Sequence, residues 1–306
     1  MREGAFLQMS NDSIPTNGPG SPLIVAPQPS RRPSNIWLII VAGLFIVVPF
    51  LTWYFTWFGR NLSEQDLATY LADEKNPRHI QHALLQIEQR IESGDQTARK
   101  FYPQIVASSK SAHAEIRKTA AWVMGQDNKS DEFHRALIDL MKDDDPLVRR
   151  NAALQLVRFN DAAGRPELRA MLQPFDAKTP ITGTVVSLLP VGNAVRAGAM
   201  LARIRDSSDN VAEFRSPVDG IVAALAVKEG DPVQSGQTIS SINPDRATLL
   251  NALEALAYVG TKDDLTLIEG FQTDGTDETR SDAARTAYAI RSRSTPPTPS
   301  PQGGAR

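Results

Sequence analysis

Between Thr179 and Asn243 the chain carries the same phrase twice, and this repeat restricts its fold more than any other feature. Pro180-Ile-Thr-Gly183-Thr-Val185 returns as Pro217-Val-Asp-Gly220-Ile-Val222, and Gly192-Asn-Ala-Val195-Arg-Ala-Gly198 returns as Gly230-Asp-Pro-Val233-Gln-Ser-Gly236. The first pair is offset by 37 residues and the second by 38, so one residue has been inserted in the second copy. Leu201 and Ile204 then match Ile239 and Ile242. A repeat this dense, with apolar residues at alternate positions between glycine turns, predicts two similar half-units packed as one small β fold.

Helical patterns stand on both sides of it. Asn76-Pro77 is followed by Ala83 and Ile87, and Asp145-Pro146 by Ala152 and Leu156, at the same offsets of seven and eleven. Ile116-Arg117 and Ala120 take the places of Val148-Arg149 and Ala152. An Asx-Pro pair starts a helix, because proline in the first turn loses no needed donor. A fixed alanine lets neighbouring helices approach closely. Phe133, Leu137, Leu140 and Met141 form an apolar stripe at helical spacing ahead of the third copy.

Arg165 to Gln173 reads as the first helix of another pair whose partner is delayed until after Asn243-Pro244, where Ala247, Leu250, Leu253, Leu256 and Tyr258 recur. A last pair follows, Asp264 to Phe271 and Glu278 to Ile290, with Arg280, Ala283 and Ala287 in the places of Arg149, Ala152 and Leu156. Helix pairs recurring every 30 to 40 residues predict an α-solenoid. The β repeat then reads as an insertion inside one helical repeat, which requires its two ends to lie close together.

Asp145-Pro-Leu-Val-Arg-Arg-Asn-Ala-Ala-Leu-Gln-Leu156 resembles HEAT repeats of the short bacterial type. The resemblance implies a scaffold for protein contacts. Ser216-Pro-Val-Asp-Gly-Ile-Val222 and Val227-Lys-Glu-Gly-Asp-Pro-Val-Gln-Ser-Gly236 are similar to the biotinyl/lipoyl-type barrel-sandwich hybrid, and most to its HlyD-type membrane-fusion subfamily. Gly183 and Gly220 are expected to permit a tight strand approach, while Gly230 and Gly236, with Asp231 and Pro232, build turns. Carriers of that type display a modifiable lysine in the hairpin between the halves, and Arg205 to Arg215 has none; Lys228 is the lysine inside the repeat and lies away from that hairpin. Export adaptors insert a long helical hairpin there, for which eleven residues are too few.

At the N-terminal side, residues 1–35 carry six prolines and predict a disordered tail. Ile36 to Phe58 is 23 residues without a charge, long enough at ~1.5 Å per residue to cross a core of ~30 Å. Trp37 at one end and Trp53, Tyr54, Trp57 and Phe58 at the other suit the two interfaces. Arg31 and Arg32 precede this stretch and Arg60 follows it, which predicts a cytoplasmic N terminus and an extracytoplasmic body at the inner membrane. Past Ser292, four prolines in 14 residues predict a second disordered tail.

The net charge of -2 divides into +1 before residue 36, -5 over residues 60–292 and +2 in the last 14 residues. No basic surplus points to nucleic acid. With no cysteine, thiol catalysis, disulfides and cysteine metal sites are excluded. His79 and His82 lie three apart without a further ligand in cluster. Asp143-Asp144-Asp145 reads as capping of a helix start, and Asp274 to Glu278 as a turn lacking the spacing of a calcium loop. Arg117, Arg149 and Arg150 are expected to bridge to acidic residues of adjacent helices. No catalytic, cofactor-binding or metal residue is assigned.

The expected fold class is a single transmembrane helix plus a HEAT-like α-solenoid with an inserted small all-β barrel-sandwich hybrid of lipoyl type. Its divisions are 1–35 tail, 36–58 membrane helix, 62–175 helical repeats, 179–243 β module, 244–292 helical repeats continued, and 293–306 tail. The expected function is a membrane-anchored scaffold or adaptor in an envelope transport or assembly complex, with other proteins as partners and lipid contacted through residues 36–58. The alternatives are a biotin or lipoate carrier modified at Lys228 or at a lysine outside the repeat, and an enzyme whose site is assembled between solenoid and module.

Overall fold

The computed structural model describes residues 36–57 and 61–294. The expected tails, 1–35 and the part of 293–306 from residue 295 onward, lie outside them. The chain divides into two units, residues 1–60 and 61–306.

The described part of the first unit is one helix, α1 (Ile36–Trp57), with Pro49 inside it. Proline cannot donate to the helical ladder, and one turn on, the Thr52 hydroxyl donates to the Val48 carbonyl at 2.8 Å. Among the described residues no helix is long and apolar enough to cross a membrane. This overturns the expected transmembrane helix at 36–58. The expected localisation as a single-pass membrane protein, the topology drawn from the flanking arginines and the lipid contact fall with it.

In the second unit helices come in pairs: α2 (Glu64–Leu71) with α3 (Pro77–Glu92), α4 (Tyr102–Ser108) with α5 (Ala114–Met124), α6 (Asp131–Leu140) with α7 (Pro146–Arg158), α8 (Arg165–Ala170) with α9 (Arg246–Val259), and α10 (Leu265–Asp274) with α11 (Asp277–Ser294). The second helices start in register. Asn76, His113, Asp145 and Asp245 are their N-caps, and Asp145 accepts from the Leu147 and Val148 N–H groups while Asp245 accepts from Thr248. Thr276 opens α11 in the same way, its hydroxyl accepting from the Thr279 N–H. Seven residues past each cap is Ala83, Ala120, Ala152, Ala252 or Ala283, and eleven past is Ile87, Met124, Leu156, Leu256 or Ala287, all at 0% exposure.

The cap of α9 is Asp245 and not the Asn243-Pro244 pair, so its buried stripe is Ala252, Leu253, Leu256 and Val259, and Tyr258 turns outward at 70% exposure. One core joins α2 through α7. A second joins Leu168, Met171 and Leu172 beside α8 to Leu253 and Leu256 of α9 and to Ala287 and Ile290 of α11.

Between α8 and α9 the chain forms eight strands: β1 (Phe175–Lys178), β2 (Gly183–Leu188), β3 (Ala194–Val195), β4 (Met200–Arg205), β5 (Val211–Arg215), β6 (Gly220–Leu225), β7 (Pro232–Val233) and β8 (Thr238–Asn243). They make two antiparallel sheets ordered β1-β8-β6-β3 and β5-β4-β2-β7. Shifting the chain by one repeat turns the first order into the second. Each half therefore lends its two-residue strand to the sheet of the other: Gly183 pairs with Val233, as Gly220 pairs with Val195. The bulges also correspond, after Val185 and after Val222. Both sheets contribute to one core that includes Val185, Ile204, Val222 and Ile242.

Among the described residues no barrel forms, which corrects the expected barrel-sandwich hybrid. Each sheet keeps β1 or β5 at one edge and a two-residue strand at the other, and no ladder joins the edges. Gly183 and Gly220 sit where strands touch: an added Cβ would lie 2.0 Å from the Arg205 carbonyl oxygen in one case and 2.3 Å from that of Asn243 in the other. Gly230 and Gly236 adopt φ values of 88° and 86° in the turns either side of β7.

Candidate functional site: a groove across the second helices

The uniform register of the second helices places another column, nine residues past each cap, on their outward side. It reads Leu85, Trp122 and Leu154 in α3, α5 and α7. Leu85 is 46% exposed and Trp122 43%, and Leu154 is partly buried. The Trp122 ring is fixed by its Nε1, which donates to Glu88 at 3.1 Å. Thirteen past the caps come Arg158 and Tyr258, and Arg158 donates to the Gln126 side chain at 2.9 Å. Of these, Trp122, Leu154, Arg158 and Tyr258 wall a shallow cavity of about 710 Å³ across α5, α7 and α9, with Asn160, Asn251 and Gln155 supplying amides; Leu85 lies outside it.

Gln155 is buried, and its Oε1 has no hydrogen-bond partner. It reaches over Gly125 at the end of α5, where a Cβ would lie 1.9 Å from that oxygen. A second cavity of about 690 Å³ is bounded by Leu253, Asp282, Arg285 and Arg293. Glu254 and Tyr258 line both cavities. A further cavity of about 600 Å³, beside Ile80, Gln104 and His113, has no Trp, Tyr or Phe in its lining.

Ion pairs join successive repeats. Arg117 of α5 donates from Nε and Nη2 to both oxygens of Asp143, at 2.6 and 2.7 Å, and from Nη1 to the Ser111 carbonyl at 2.9 Å. Arg149 of α7 repeats this arrangement, donating to Glu167 at 3.0 Å and to the Asp143 carbonyl at 2.6 Å. Arg169 reaches the fully buried Asp264 at 2.5 Å, and Arg246 donates to Asp282. The hydrogen bonds from Arg117 hold the Asp143 carboxyl below its ordinary range, and Asp143 raises Arg117 in return. Burial pushes Asp282 upward, but the hydrogen bonds from Arg246 and Arg285 outweigh it and keep that carboxyl low.

Arg150 behaves differently. It is 7% exposed at the junction of α7 with the strands, its charge centre 5.7 Å from the Phe175 ring and its Nε 3.8 Å from Glu167, without a hydrogen bond at that nitrogen. Burial lowers its pKa, against the pull of Glu167.

The other residues singled out from sequence are spread along the chain. His79 Nδ1 lies 2.8 Å from Asp73 with its ring stacked on Tyr70, and His82 Nε2 is 2.9 Å from the Gln86 amide. Among the described residues no group of three or more His, Asp or Glu is placed to hold a metal ion. Asp145 is spent on capping α7, and Asp277 pairs with Arg280 in the first turn of α11. Lys228 lies in the turn between β6 and β7, its N–H bonded to Asp231. The hairpin between β4 and β5 is closed by Asp206, which accepts from the Ser208 and Asn210 N–H groups.

Residues 102–178, from α4 to β1, match the family of HEAT repeats. Among solved structures, a single-chain, multi-domain long-chain acyl-CoA carboxylase is similar at 21% identity with a TM-score of 0.23, over 49% of this chain and 15% of that one. The present chain thus spans well under two thirds of that protein's length. No curated protein matches the sequence.

Proposed function

We propose that this protein is a protein–protein interaction scaffold whose docking surface is the groove on α5, α7 and α9. We further propose that residues 62–175 and 244–292 form one solenoid, with the two-sheet module at 179–243 inserted in the loop of its fourth helix pair. The HEAT-repeat match at 102–178 supports the scaffold reading. The observation that carries the site is the exposure of Trp122 and Tyr258 on either side of the partly buried Leu154: apolar and aromatic side chains on the walls of one groove. Aromatic residues of this kind are the usual anchors of interfaces. Covering the exposed parts of Trp122 and Tyr258 would each contribute about 2–4 kcal/mol before the costs of association.

A photo-crosslinking residue placed at position 122 or 258 of the full chain in its native cell tests this. The same partner should be captured from both positions, and nothing above background from Arg135, an exposed residue of α6. Equal capture from all three positions, or none from 122 and 258, would remove the groove as the docking surface.

A further inference from the structure

We infer that strand β5, the open edge of the two-sheet module, pairs with β5 of a second copy of this chain about a twofold axis through Phe214. None of its residues lines the groove. An unpaired edge offers a row of backbone donors and acceptors, and folds blunt such rows with very short strands, lysine, proline or a bulge. The edges β3 and β7 are two residues long. The edge β1 carries Lys178 and has α7 beside it, with Arg150 over the Phe175 ring and Leu147 packed on the module's core. Strand β5 is the repeat equivalent of β1 and has none of these. Among the described residues β4 is its one neighbour in the sheet, and Val211-Ala-Glu-Phe-Arg215 contains neither lysine nor proline. The bulge falls on β4, where Met200 and Ala202 pair with the consecutive Arg215 and Phe214.

The bonds at the two ends of β5 fix which backbone groups are free. The Asn210 carbonyl accepts from the Asp206 N–H, while Ser216 donates to the Ala199 carbonyl and accepts from the Gly198 N–H. Bonding direction alternates along an antiparallel strand, so the even-numbered residues turn toward β4. Val211, Glu213 and Arg215 therefore turn their N–H and C=O groups to the open side. All three are exposed, whereas Phe214 is buried in the module's core.

Charge then selects the occupant and its register. Three antiparallel self-pairings set at least two of these free residues opposite one another, centred on Ala212, Glu213 or Phe214. The centre at Glu213 places two carboxylates face to face, which is destabilising. The centre at Ala212 leaves Glu213 opposite Val211 and runs Arg215 into Asp209, whose φ of 64° ends the strand. The centre at Phe214 places Glu213 opposite Arg215 at both ends of the interface, each such pair exchanging both backbone bonds. Pro217, without an N–H, then falls opposite Val211 and stops the ladder. Both charged side chains are already held along this edge: Arg215 donates to Glu213 at 2.5 Å and to the Gly198 carbonyl at 2.7 Å, and Arg203 lies 3.8 Å from Glu213. The pairing closes on itself as a twofold dimer and joins two four-stranded sheets into one.

Sedimentation equilibrium of the full chain over a concentration series tests this. The mass should rise reversibly from 33.4 kDa toward twice that value. Glu213→Arg sets arginine opposite arginine, and Arg215→Glu sets glutamate opposite glutamate, at both ends of the interface. Each should weaken dimerisation about tenfold, because two symmetry-related pairs change sign together. Both positions are exposed, so the fold should persist in each variant, as circular dichroism will verify. Mixed in equal amounts, the two variants should form a mixed dimer about as tightly as the unmodified chain, since every facing pair is then of opposite charge. A monomer at all concentrations would overturn the inference and leave β5 to a strand of another protein. A dimer indifferent to both substitutions, or a mixture no tighter than its components, would overturn it as well, by placing the contact elsewhere on the chain.

Discussion

The bridge from Arg117 to Asp143 should be among the more costly single contacts to break in the helical unit. Its side chains are 17% and 7% exposed, and two parallel hydrogen bonds of 2.6 and 2.7 Å join them. Replacing Arg117 with Met keeps much of the apolar stem but leaves Asp143 with the Asp145 N–H as its remaining hydrogen-bond donor, at 2.9 Å. Removing one partner of a buried pair costs about 3–5 kcal/mol, against ~1 kcal/mol or less for an exposed pair. The residual donor and partial solvent access place the expected loss near 3 kcal/mol. In a double-mutant cycle with Asp143→Asn, urea unfolding at pH 7 should give a coupling of about 2 kcal/mol.

The pH dependence follows from the depressed Asp143 carboxyl, held below 3.8 by Arg117. The bridge is fully effective above the unfolded value of about 3.9 and is lost as pH falls through the lower folded value. The cycle repeated near pH 3 should show a smaller coupling than at pH 7. A coupling under about 0.5 kcal/mol at pH 7 would put the bridge among exposed surface pairs and refute the argument from burial.

Other outcomes are expected on the same grounds. Arg150→Met should stay within about 1 kcal/mol of the parent or gain stability, because that guanidinium is desolvated without full hydrogen bonding; a loss above 3 kcal/mol in the same urea assay would contradict this. Gly220→Ala should gain about 0.4–1 kcal/mol from a less free unfolded chain and lose about 1–3 kcal/mol from overpacking. The net loss should appear as faster proteolysis within 175–243, and Gly183→Ala should behave alike. Tyr102, buried and bonded to Asp127 at 2.8 Å, is pushed up to about 12. Absorbance titration should show a phenol ionising near there, absent in Tyr102→Phe, and its share of stability should hold below pH 10 and decline as pH rises toward 12.

Which of these features a reader of the sequence can see follows from what each position must satisfy. The alanine and large-apolar columns were legible because the helix contacts demand them at every copy, and the Asx caps set their phase. In α9 the phase is set by Asp245, which accepts from Thr248, and not by the Asn243-Pro244 pair that precedes it. Tyr258, which the sequence pattern groups with Leu253 and Leu256, therefore turns outward. The groove column escaped for a different reason. Nothing inside the fold requires Leu85 or Trp122 to be apolar, so their signal appears only when the caps are aligned.

The repeat also extends further back than its obvious phrases. Phe175-Asp-Ala-Lys178 and Ala212-Glu-Phe-Arg215 match in charge but exchange their large and small residues, and this disguised β1 as the equivalent of β5. Closure into a barrel could not be read at all, since it depends on whether edges that are remote in sequence come to share a ladder.

That β1 and β8 are neighbours bears on the order of folding. Phe175 pairs with Ile242, so once the strands assemble, the chain leaves α8 and returns to α9 through adjacent points. If the helices met first, they would have to close a loop of about 70 residues; after the strands form, the loop is effectively about six. The difference, (3/2)RT ln of their ratio, is about 2 kcal/mol of closure entropy. Assembly of α8 on α9 should therefore wait for the sheets, and the rate at which the distal helices join the proximal ones should be set by a β structure that makes none of their core.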